Sequence, residues 1–128
     1  MDAATADACF VLIVDDEEGV RESLRDVVEM VGCVAQMAED GEDALAILAT
    51  RRPCLVIVDL LMPRMNGAEL VDAIRAKPAL AGVQIVMSTS APERAPRGVP
   101  ILAKPIDVDA LCVWIRRVCR CVGTPKLH

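Results

Sequence analysis

The stretch Cys54-Leu-Val-Ile-Val-Asp59-Leu-Leu-Met-Pro-Arg-Met-Asn-Gly67 decides the fold, because an unbroken aliphatic run ends in a carboxylate and a turn. Such runs are typical of strands in a parallel sheet that is covered on both faces. A second run, residues 10–14, ends in the same way, in Asp15 and Asp16. Parallel strands open onto a crevice at their carboxyl ends, so we expect three carboxylates to meet there. A hard divalent cation is the simplest partner for that much negative charge.

The composition indicates one domain with an aliphatic core. Of the 128 residues 54% are hydrophobic, yet Phe10 and Trp114 are the only aromatic residues. We take residues 1–128 as a single domain with a core at about 10–122. A net charge of −5 without a basic stripe argues against direct nucleic-acid binding. No apolar run has the length of a membrane span and no secretory leader is visible, so we expect a cytoplasmic protein.

The six cysteines fit neither the spacing of a zinc ribbon nor that of a paired CxxC site. They are Cys9, Cys33, Cys54, Cys112, Cys119 and Cys121. In a reducing compartment we expect reduced thiols, with Cys54, Cys112 and Cys119 acting as small core residues. A metal or redox role for Cys119 and Cys121 is the less favoured interpretation.

Strands and helices alternate along the whole chain, which predicts an α/β fold with a five-stranded parallel sheet. Helices are predicted from about residue 17 to Gly32, from about 41 to 50, after Gly67, and after a cap at Asp107. The last helix would present Leu111, Ile115, Val118 and Val122 on one stripe and Arg116, Arg117 and Arg120 on the opposite face. The strands are predicted at about 10–14, 34–37, 55–58, 83–87 and 99–103.

The segment between the fourth and fifth strands departs from this alternation. Pro92, Pro96 and Pro100 recur at every fourth position, and a helix over 91–98 would contain a proline in its interior. That placement costs about 3 kcal/mol. We therefore predict that the fourth helix is absent or reduced to a single turn.

Polar residues follow the ends of four predicted strands, and they are expected to converge at one crevice. Each could be a loop or cap residue when taken alone, and only their combined order and strand position favours a site. The set comprises Asp15, Asp16, Asp59, Ser88, Thr89, Ser90 and Lys104.

This arrangement resembles the receiver domain of bacterial two-component response regulators, a doubly wound, flavodoxin-like fold also called CheY-like. The resemblance runs from Phe10 to about Val122, and its most specific parts are residues 14–16, 59–67, Thr89 and the pair Lys104-Pro105. It implies a stand-alone phosphoacceptor that takes a phosphoryl group from a phosphohistidine and then switches its protein contacts. The implied partners are a sensor histidine kinase or a histidine phosphotransfer protein, and a downstream protein target.

Family roles can be carried onto the matching positions. The resemblance makes Asp59 the phosphoacceptor, with Thr89 and Lys104 each contacting a phosphoryl oxygen. It implies that Asp16, Asp59 and the backbone carbonyl of Leu61 bind Mg²⁺ or Mn²⁺, while Asp15 acts directly or through water. It also implies a cis Lys104–Pro105 peptide bond. General chemistry agrees, because a carboxylate accepts phosphorus once cationic groups neutralise the phosphoryl charge.

Three departures from the family pattern affect the predicted switch. Ile101 occupies the position of an aromatic residue that often rotates in the family, so we expect coupling through backbone movement. The short segment 91–98 alters a surface that many receivers use for output. Leu61 and Ala91 cannot orient an attacking water, so we expect slow loss of phosphate from Asp59.

Several alternatives remain open. The chain could be an adaptor that works without phosphorylation (a pseudo-receiver), or a receiver that is part of a larger hybrid kinase or regulator. A phosphohydrolase of the haloacid-dehalogenase type is disfavoured, because Leu61 stands where its second acid is required. We therefore expect a signalling phosphoacceptor in a phosphorelay and not an enzyme. A nucleotide-binding module is disfavoured because no glycine-rich turn follows the first strand.

Overall fold

The computed structural model describes residues 9–119, and these form a parallel sheet covered by helices on both faces. The five strands are β1 (Phe10–Val14), β2 (Val34–Ala38), β3 (Leu55–Asp59), β4 (Gln84–Thr89) and β5 (Ile101–Ala103). The four α-helices are α1 (Glu18–Met30), α2 (Gly41–Leu48), α3 (Gly67–Arg75) and α4 (Val108–Val118). Single 3₁₀ turns lie at Pro78–Leu80 and Pro92–Arg94.

The strand order is β2-β1-β3-β4-β5, and every pair of neighbours is parallel. The chain leaves β1 toward β2 on one side and returns to place β3 on the other side of β1. Strand order therefore reverses between β1 and β3, which is the position where doubly wound sheets bind ligands. The predicted fold class is confirmed.

Two aliphatic layers make up the core, one on each face of the sheet. Alternate strand residues such as Val56 and Val58 pack with α2 and α3, whereas Leu55 and Ile57 pack with α1 and α4. The first three of these strand side chains are fully buried and Ile57 is nearly so. This division follows from the two-residue period of a strand, which sends successive side chains to opposite faces.

The helix boundaries follow local signals in the sequence. Helix α1 ends before Gly32, whose φ of 93° is accessible to glycine at little cost. Helix α3 begins with a capping box formed by Asn66 and Glu69. The predicted cap of α4 is confirmed, since the Asp107 side chain accepts a hydrogen bond from the Ala110 N–H at 3.2 Å.

The connection between β4 and β5 contains only the single 3₁₀ turn at Pro92–Arg94, so the prediction of a reduced fourth helix is confirmed. Strand β5 is shorter than predicted and begins at Ile101, directly after Pro100. Pro100 has no N–H to donate, although its carbonyl accepts the Met87 N–H at 2.8 Å. Strand β4, in contrast, extends beyond its predicted end to Thr89.

Some predictions concern residues that lie outside the described range, namely Arg120, Cys121 and Val122. Within the range, Leu111, Cys112, Ile115 and Cys119 are buried and Arg116 and Arg117 are exposed, as predicted. Cys54 is only partly buried, so its placement in the core is wrong in part. No helix within residues 9–119 is both long and apolar enough to cross a bilayer.

Candidate functional site: an acidic crevice at the carboxyl ends of the strands

Three carboxylates meet at the point where strand order reverses. Asp15 and Asp16 follow β1, and Asp59 is the last residue of β3. One oxygen of each carboxylate lies within 4.8 Å of the others. Asp15 and Asp59 are buried, with exposed fractions of 1% and 6%, while Asp16 is exposed to solvent. The convergence predicted from the sequence is thus present for all three acids.

Lys104 supplies the positive charge of the crevice. It follows β5, and its Nζ lies 3.3 Å from Asp15 Oδ2 and 3.4 Å from Asp59 Oδ1. The Lys104 backbone N–H donates to the Thr89 carbonyl at 2.8 Å, so the lysine is fixed to the end of β4. The Lys104–Pro105 peptide bond is cis, as the resemblance implies. One ammonium therefore faces two buried carboxylates.

The crevice holds three carboxylates and one ammonium, and both burial and these charges act on its pKa values. Burial raises the pKa of the Asp59 carboxyl, and the negative charge of Asp15 raises it further, against the opposing effect of Lys104. Burial lowers the pKa of the Lys104 ammonium, but Asp15 and Asp59 outweigh that effect and the net pKa is raised. An additional cation would relieve this excess of negative charge.

The residues fit a hard divalent cation. Such ions take carboxylate and carbonyl oxygens as ligands, and Mg²⁺ commonly uses few protein carboxylates and keeps several waters. Asp15, Asp16 and Asp59 offer three such oxygens, and the exposed Asp16 leaves one side open to water. The predicted ligand set of these acids agrees with this geometry, and the Leu61 carbonyl remains a prediction.

Backbone packing holds Asp59 in place. A Cβ atom on Gly67 would lie 2.4 Å from the Asp59 carbonyl oxygen and 2.9 Å from Leu60 Cα. Only glycine allows the start of α3 to approach the end of β3 this closely. The Gly67 N–H donates to the Leu60 carbonyl at 2.8 Å, which closes the loop between Asp59 and α3.

Thr89 lies at the end of β4 as predicted, and its side chain is buried. Its Oγ1 accepts a hydrogen bond from the Ala91 N–H at 2.9 Å. The hydroxyl is therefore engaged with the start of the β4–β5 connection, a partner that the strand pattern did not predict.

Other contacts at the crevice were also missed by sequence reasoning. The Glu17 N–H donates to Asp15 Oδ1 at 2.9 Å, and the Arg21 guanidinium donates to the Asp15 carbonyl at 2.7 Å. The acidic run 15–18 indicates the first of these contacts, because it starts a helix. Ser88, one of the residues expected to converge at the crevice, pairs in register with Asp59, and within residues 9–119 its buried hydroxyl has no hydrogen-bond partner.

A doubly wound parallel sheet with the strand order β2-β1-β3-β4-β5 defines a class of proteins, the flavodoxin-like folds. Within that class, the family model of the response regulator receiver domain matches residues 11–116, and the chain belongs to this family.

Curated relatives share part of the chain. The response regulator MprA of Mycolicibacterium vanbaalenii is 41% identical over 66 residues, which make up 52% of this chain and 29% of that protein. MprA of Mycobacterium ulcerans is 39% identical over the same length. The match thus spans less than a third of the length of these relatives.

Solved structures resemble nearly the whole described chain. The chemotaxis protein CheY4 of Vibrio cholerae has a TM-score of 0.77 and 30% identity, covering 87% of this chain and 98% of that one. The receiver domain of a signal transduction histidine kinase from Syntrophus aciditrophicus has a TM-score of 0.79 and 25% identity. The match covers 94% of this chain and 96% of that one. The fold is therefore found both in a CheY protein and in a domain of a kinase.

Proposed function

We propose that the chain accepts a phosphoryl group on Asp59 from a phosphohistidine donor, in a reaction that depends on Mg²⁺ or Mn²⁺, and that this changes its protein contacts. The observation that carries the proposal is the grouping of Asp59 with Asp15, Asp16 and Lys104. It is supported by membership in the receiver family, whose domains are signalling phosphoacceptors. A phosphohistidine donor is formed from ATP, so we expect the chain to act in the cytoplasm.

Each residue has a defined part in this reaction. Asp59 is the nucleophile: one of its oxygens forms a bond to phosphorus while the bond from phosphorus to the donor nitrogen breaks. Lys104 pairs with a phosphoryl oxygen, and the Thr89 hydroxyl donates a hydrogen bond to another. Asp15, Asp16, Asp59 and the Leu61 carbonyl would hold a divalent cation, which would supply neutralising charge for the transferring group. The reaction converts a carboxylate into an acyl phosphate with close to one more negative charge.

Thr89 provides a route from the phosphoryl group to the surface. When its hydroxyl turns to donate to a phosphoryl oxygen, we expect it to release the Ala91 N–H, its partner before phosphorylation. Ala91 begins the β4–β5 connection, whose only helical element is the 3₁₀ turn at Pro92–Arg94. The coupling then runs through backbone movement, as expected from Ile101 in place of an aromatic residue.

An apolar groove beside the crevice suits the phosphodonor. It is lined by Val20 and Leu24 of α1, by Ile106 and Val108 near the start of α4, and by Lys104 itself. Since Lys104 borders both the groove and the crevice, an apolar helix face bound here would bring its phosphohistidine close to Asp59. We propose this groove as the docking surface for a histidine kinase or a histidine phosphotransfer protein.

Intact-mass analysis after treatment with acetyl phosphate and Mg²⁺ tests the proposal. We expect one added phosphoryl group on the native chain, none on Asp59→Asn, and one on Asp109→Asn, which changes an exposed acid of α4. Labelling should also fail when EDTA replaces Mg²⁺. Labelling of Asp59→Asn equal to that of the native chain would show that another residue is the acceptor.

A second candidate is an adaptor that works without phosphorylation, which is favoured by the reduced connection between β4 and β5. In that case the connection holds one conformation regardless of Asp59. Measuring the affinity for a downstream partner before and after stoichiometric labelling separates the two, since an adaptor shows no change. A phosphohydrolase is less compatible with the site, because the side chain two residues after Asp59 is the apolar, 45% exposed Leu61.

A further inference from the structure

The amino ends of the strands, opposite the acidic crevice, gather cysteines from separate parts of the chain. Cys9 precedes β1, Cys33 precedes β2 and Cys54 precedes β3, while Cys119 directly follows α4. The strand register explains the grouping, because Phe10 pairs with Val34 and Val11 pairs with Leu55. The residues that precede three adjacent strands must therefore lie side by side.

Three of these thiols lie close together. The Sγ atoms of Cys9, Cys54 and Cys119 all lie within 4.8 Å of one another. Thiolates around a tetrahedral Zn²⁺, with Zn–S bonds of about 2.3 Å, would be about 3.8 Å apart. Side-chain rotations that shorten the longest of these distances by about 1 Å would bring the three sulfurs to that spacing.

Cys33 precedes Val34, the register partner of Phe10, so its backbone lies beside that of Cys9, and its side chain is buried. The neighbouring thiols of Cys33 and Cys54, and then burial, raise the pKa of the Cys119 thiol. The Cys119 thiol in turn lowers the pKa of the Cys54 thiol to about 7.

We propose that Cys9, Cys54 and Cys119, together with Cys33, form a thiolate site for one zinc ion at the amino end of the sheet. Four sulfur ligands suit a soft or borderline cation, in contrast to the oxygen ligands of the crevice. Binding releases the thiol protons to solvent as the Zn–S bonds form. A disulfide would involve only two of the four sulfurs and would require an oxidant.

The surroundings of the cluster are compatible with ion entry and thiol ionisation. Cys9 and Cys54 are partly exposed, and Cys54 lines an open groove with Trp114 and Arg117. The Cys54 thiol donates to the Phe10 carbonyl at 3.2 Å, and that bond is lost when the thiol ionises. The carbonyl still accepts the Cys54 backbone N–H at 2.9 Å, so it remains hydrogen-bonded.

The ion would tie together the starts of β1, β2 and β3 and the end of α4. The five residues of β1 lie between Cys9 and Asp15, so these two residues are roughly 20 Å apart at about 3.3 Å per residue step. The zinc site is therefore independent of phosphorylation at Asp59. It adds a structural constraint at the end of the sheet that the phosphoryl chemistry does not use.

Cobalt titration tests the proposal, because Co²⁺ bound tetrahedrally by thiolates absorbs strongly through sulfur-to-metal charge transfer. The native chain, reduced with a phosphine and kept in excess Mg²⁺ to occupy the carboxylates, is titrated with Co²⁺ and then Zn²⁺. We expect a charge-transfer band that saturates at one Co²⁺ per chain and disappears when Zn²⁺ displaces it. Zn²⁺ should also raise the unfolding temperature.

Variants locate the site. Cys54→Ser and Cys119→Ser should each weaken Co²⁺ binding by more than about a hundredfold. Loss of a group that only supports a metal ligand costs up to about a hundredfold, and loss of a ligand itself should cost more. Cys112→Ala, which removes a buried thiol of α4 that is not in the cluster, should bind normally, as should Asp59→Asn. If the native chain showed no charge-transfer band, that result alone would overturn the proposal. The proposal would also fail if Cys54→Ser kept the full charge-transfer band. It would fail as well if Cys112→Ala lost Co²⁺ binding as much as the cluster variants do.

Discussion

At the scale of single residues, the crevice is built at a cost to folding. Asp15 and Asp59 are buried together, and one lysine is shared between them. A buried carboxylate is stable only when its charge is fully compensated. Burial, and then the negative charge of Asp15, raise the pKa of Asp59 in spite of Lys104. We expect this excess of negative charge to favour binding of a divalent ion, as the proposed phosphoryl transfer requires.

The charge imbalance predicts that Asp59→Asn stabilises the chain when divalent metal is absent. Because folding raises the pKa of Asp59, its contribution to stability is fully present below the unfolded value of 3.8 and is lost as the pH rises through the folded value. The neutral amide avoids that loss. We expect a gain in the free energy of unfolding on the order of 1 kcal/mol at pH 7 in EDTA, measured by urea denaturation.

Two comparisons make this measurement specific. The gain should shrink as the pH falls toward the unfolded value of 3.8, because a raised pKa means that the folded chain protonates Asp59 in that direction. Asp109→Asn, an exposed change on α4, should stay within about 0.5 kcal/mol of the native chain. If the native chain were more stable than Asp59→Asn at pH 7 without metal, Lys104 would more than compensate the carboxylates and the argument would fail.

Leu61 predicts a long-lived phosphoryl group. Its side chain is apolar and 45% exposed beside Asp59, so it neither donates to nor accepts from an attacking water. Leu61→Asn introduces an amide that can orient this water. We expect at least about tenfold faster loss of phosphate, below the hundredfold or more that a positioned general base contributes.

The rate of phosphate loss is measured by following the mass of the labelled chain after acetyl phosphate is removed. Leu61→Val, which keeps an apolar side chain, is the matched control and should retain the native half-life. A native half-life as short as that of Leu61→Asn would contradict the prediction.

At the scale of elements, the sequence predicts the strands well because buried parallel strands are continuous aliphatic runs. For this reason the predicted strands at 10–14 and 55–58 agree with β1 and β3 to within one residue. The boundaries of β4 and β5 were less accurate, since Thr89 continues a ladder that its polarity does not indicate and Pro100 delays the next strand. The reduced fourth helix was predictable because proline spacing excludes a helix on local grounds.

Contacts between elements were predicted only where the strands themselves impose them. Asp15 and Asp59 were placed together because both end neighbouring strands. The cysteine cluster follows from the same strand register, but its members are far apart in sequence and Cys119 reaches it through the packing of α4. Spacing rules for metal motifs describe ligands that are close along the chain, so they gave no signal here.

The groove between α1 and α4 predicts a test that separates donor docking from chemistry. Val108→Asp places a charge at a 44% exposed position of the groove, and an acid in the first turn suits the helix dipole, so the fold should persist. We expect phosphotransfer from a phosphohistidine protein to slow by at least about tenfold, equivalent to about 1.4 kcal/mol. Labelling by acetyl phosphate should be unchanged.

Val113→Asp is the matched control, because Val113 is a 50% exposed valine of the same helix that does not line this groove. It should slow neither reaction. Equal slowing of protein phosphotransfer by both variants would point to a general charge effect. Slowing of acetyl phosphate labelling by Val108→Asp would instead indicate damage to the crevice.

At the scale of the whole molecule, the sheet separates two kinds of chemistry. Oxygen ligands and Lys104 lie at the carboxyl ends of the strands, and the thiols lie at the amino ends. The sheet between them is fully buried in β1 and β3. Close-packed layers of this kind resist deformation, so a signal from Asp59 is expected to leave through a loosely held segment instead. The β4–β5 connection adjoins the crevice, and its first half meets this description, since the hydrogen bonds of residues 91–95 are all local.

Phosphorylation is therefore expected to loosen the start of this connection. The Ala91 N–H donates to Thr89 Oγ1 at 2.9 Å, and a Thr89 hydroxyl drawn to the phosphoryl group would leave this amide without its acceptor. We expect at least about tenfold faster amide hydrogen exchange at Ala91 after labelling, equivalent to about 1.4 kcal/mol of lost protection.

Thr89→Ala should show the faster exchange before labelling and no further change, whereas Thr89→Ser should behave as the native chain does. Exchange at Ile13 and Ile57, inside the sheet, should stay constant and serves as the internal reference. If exchange at Ala91 were the same before and after stoichiometric labelling, Thr89 would not be the coupling residue, and the chain would behave as a constitutive adaptor at this surface.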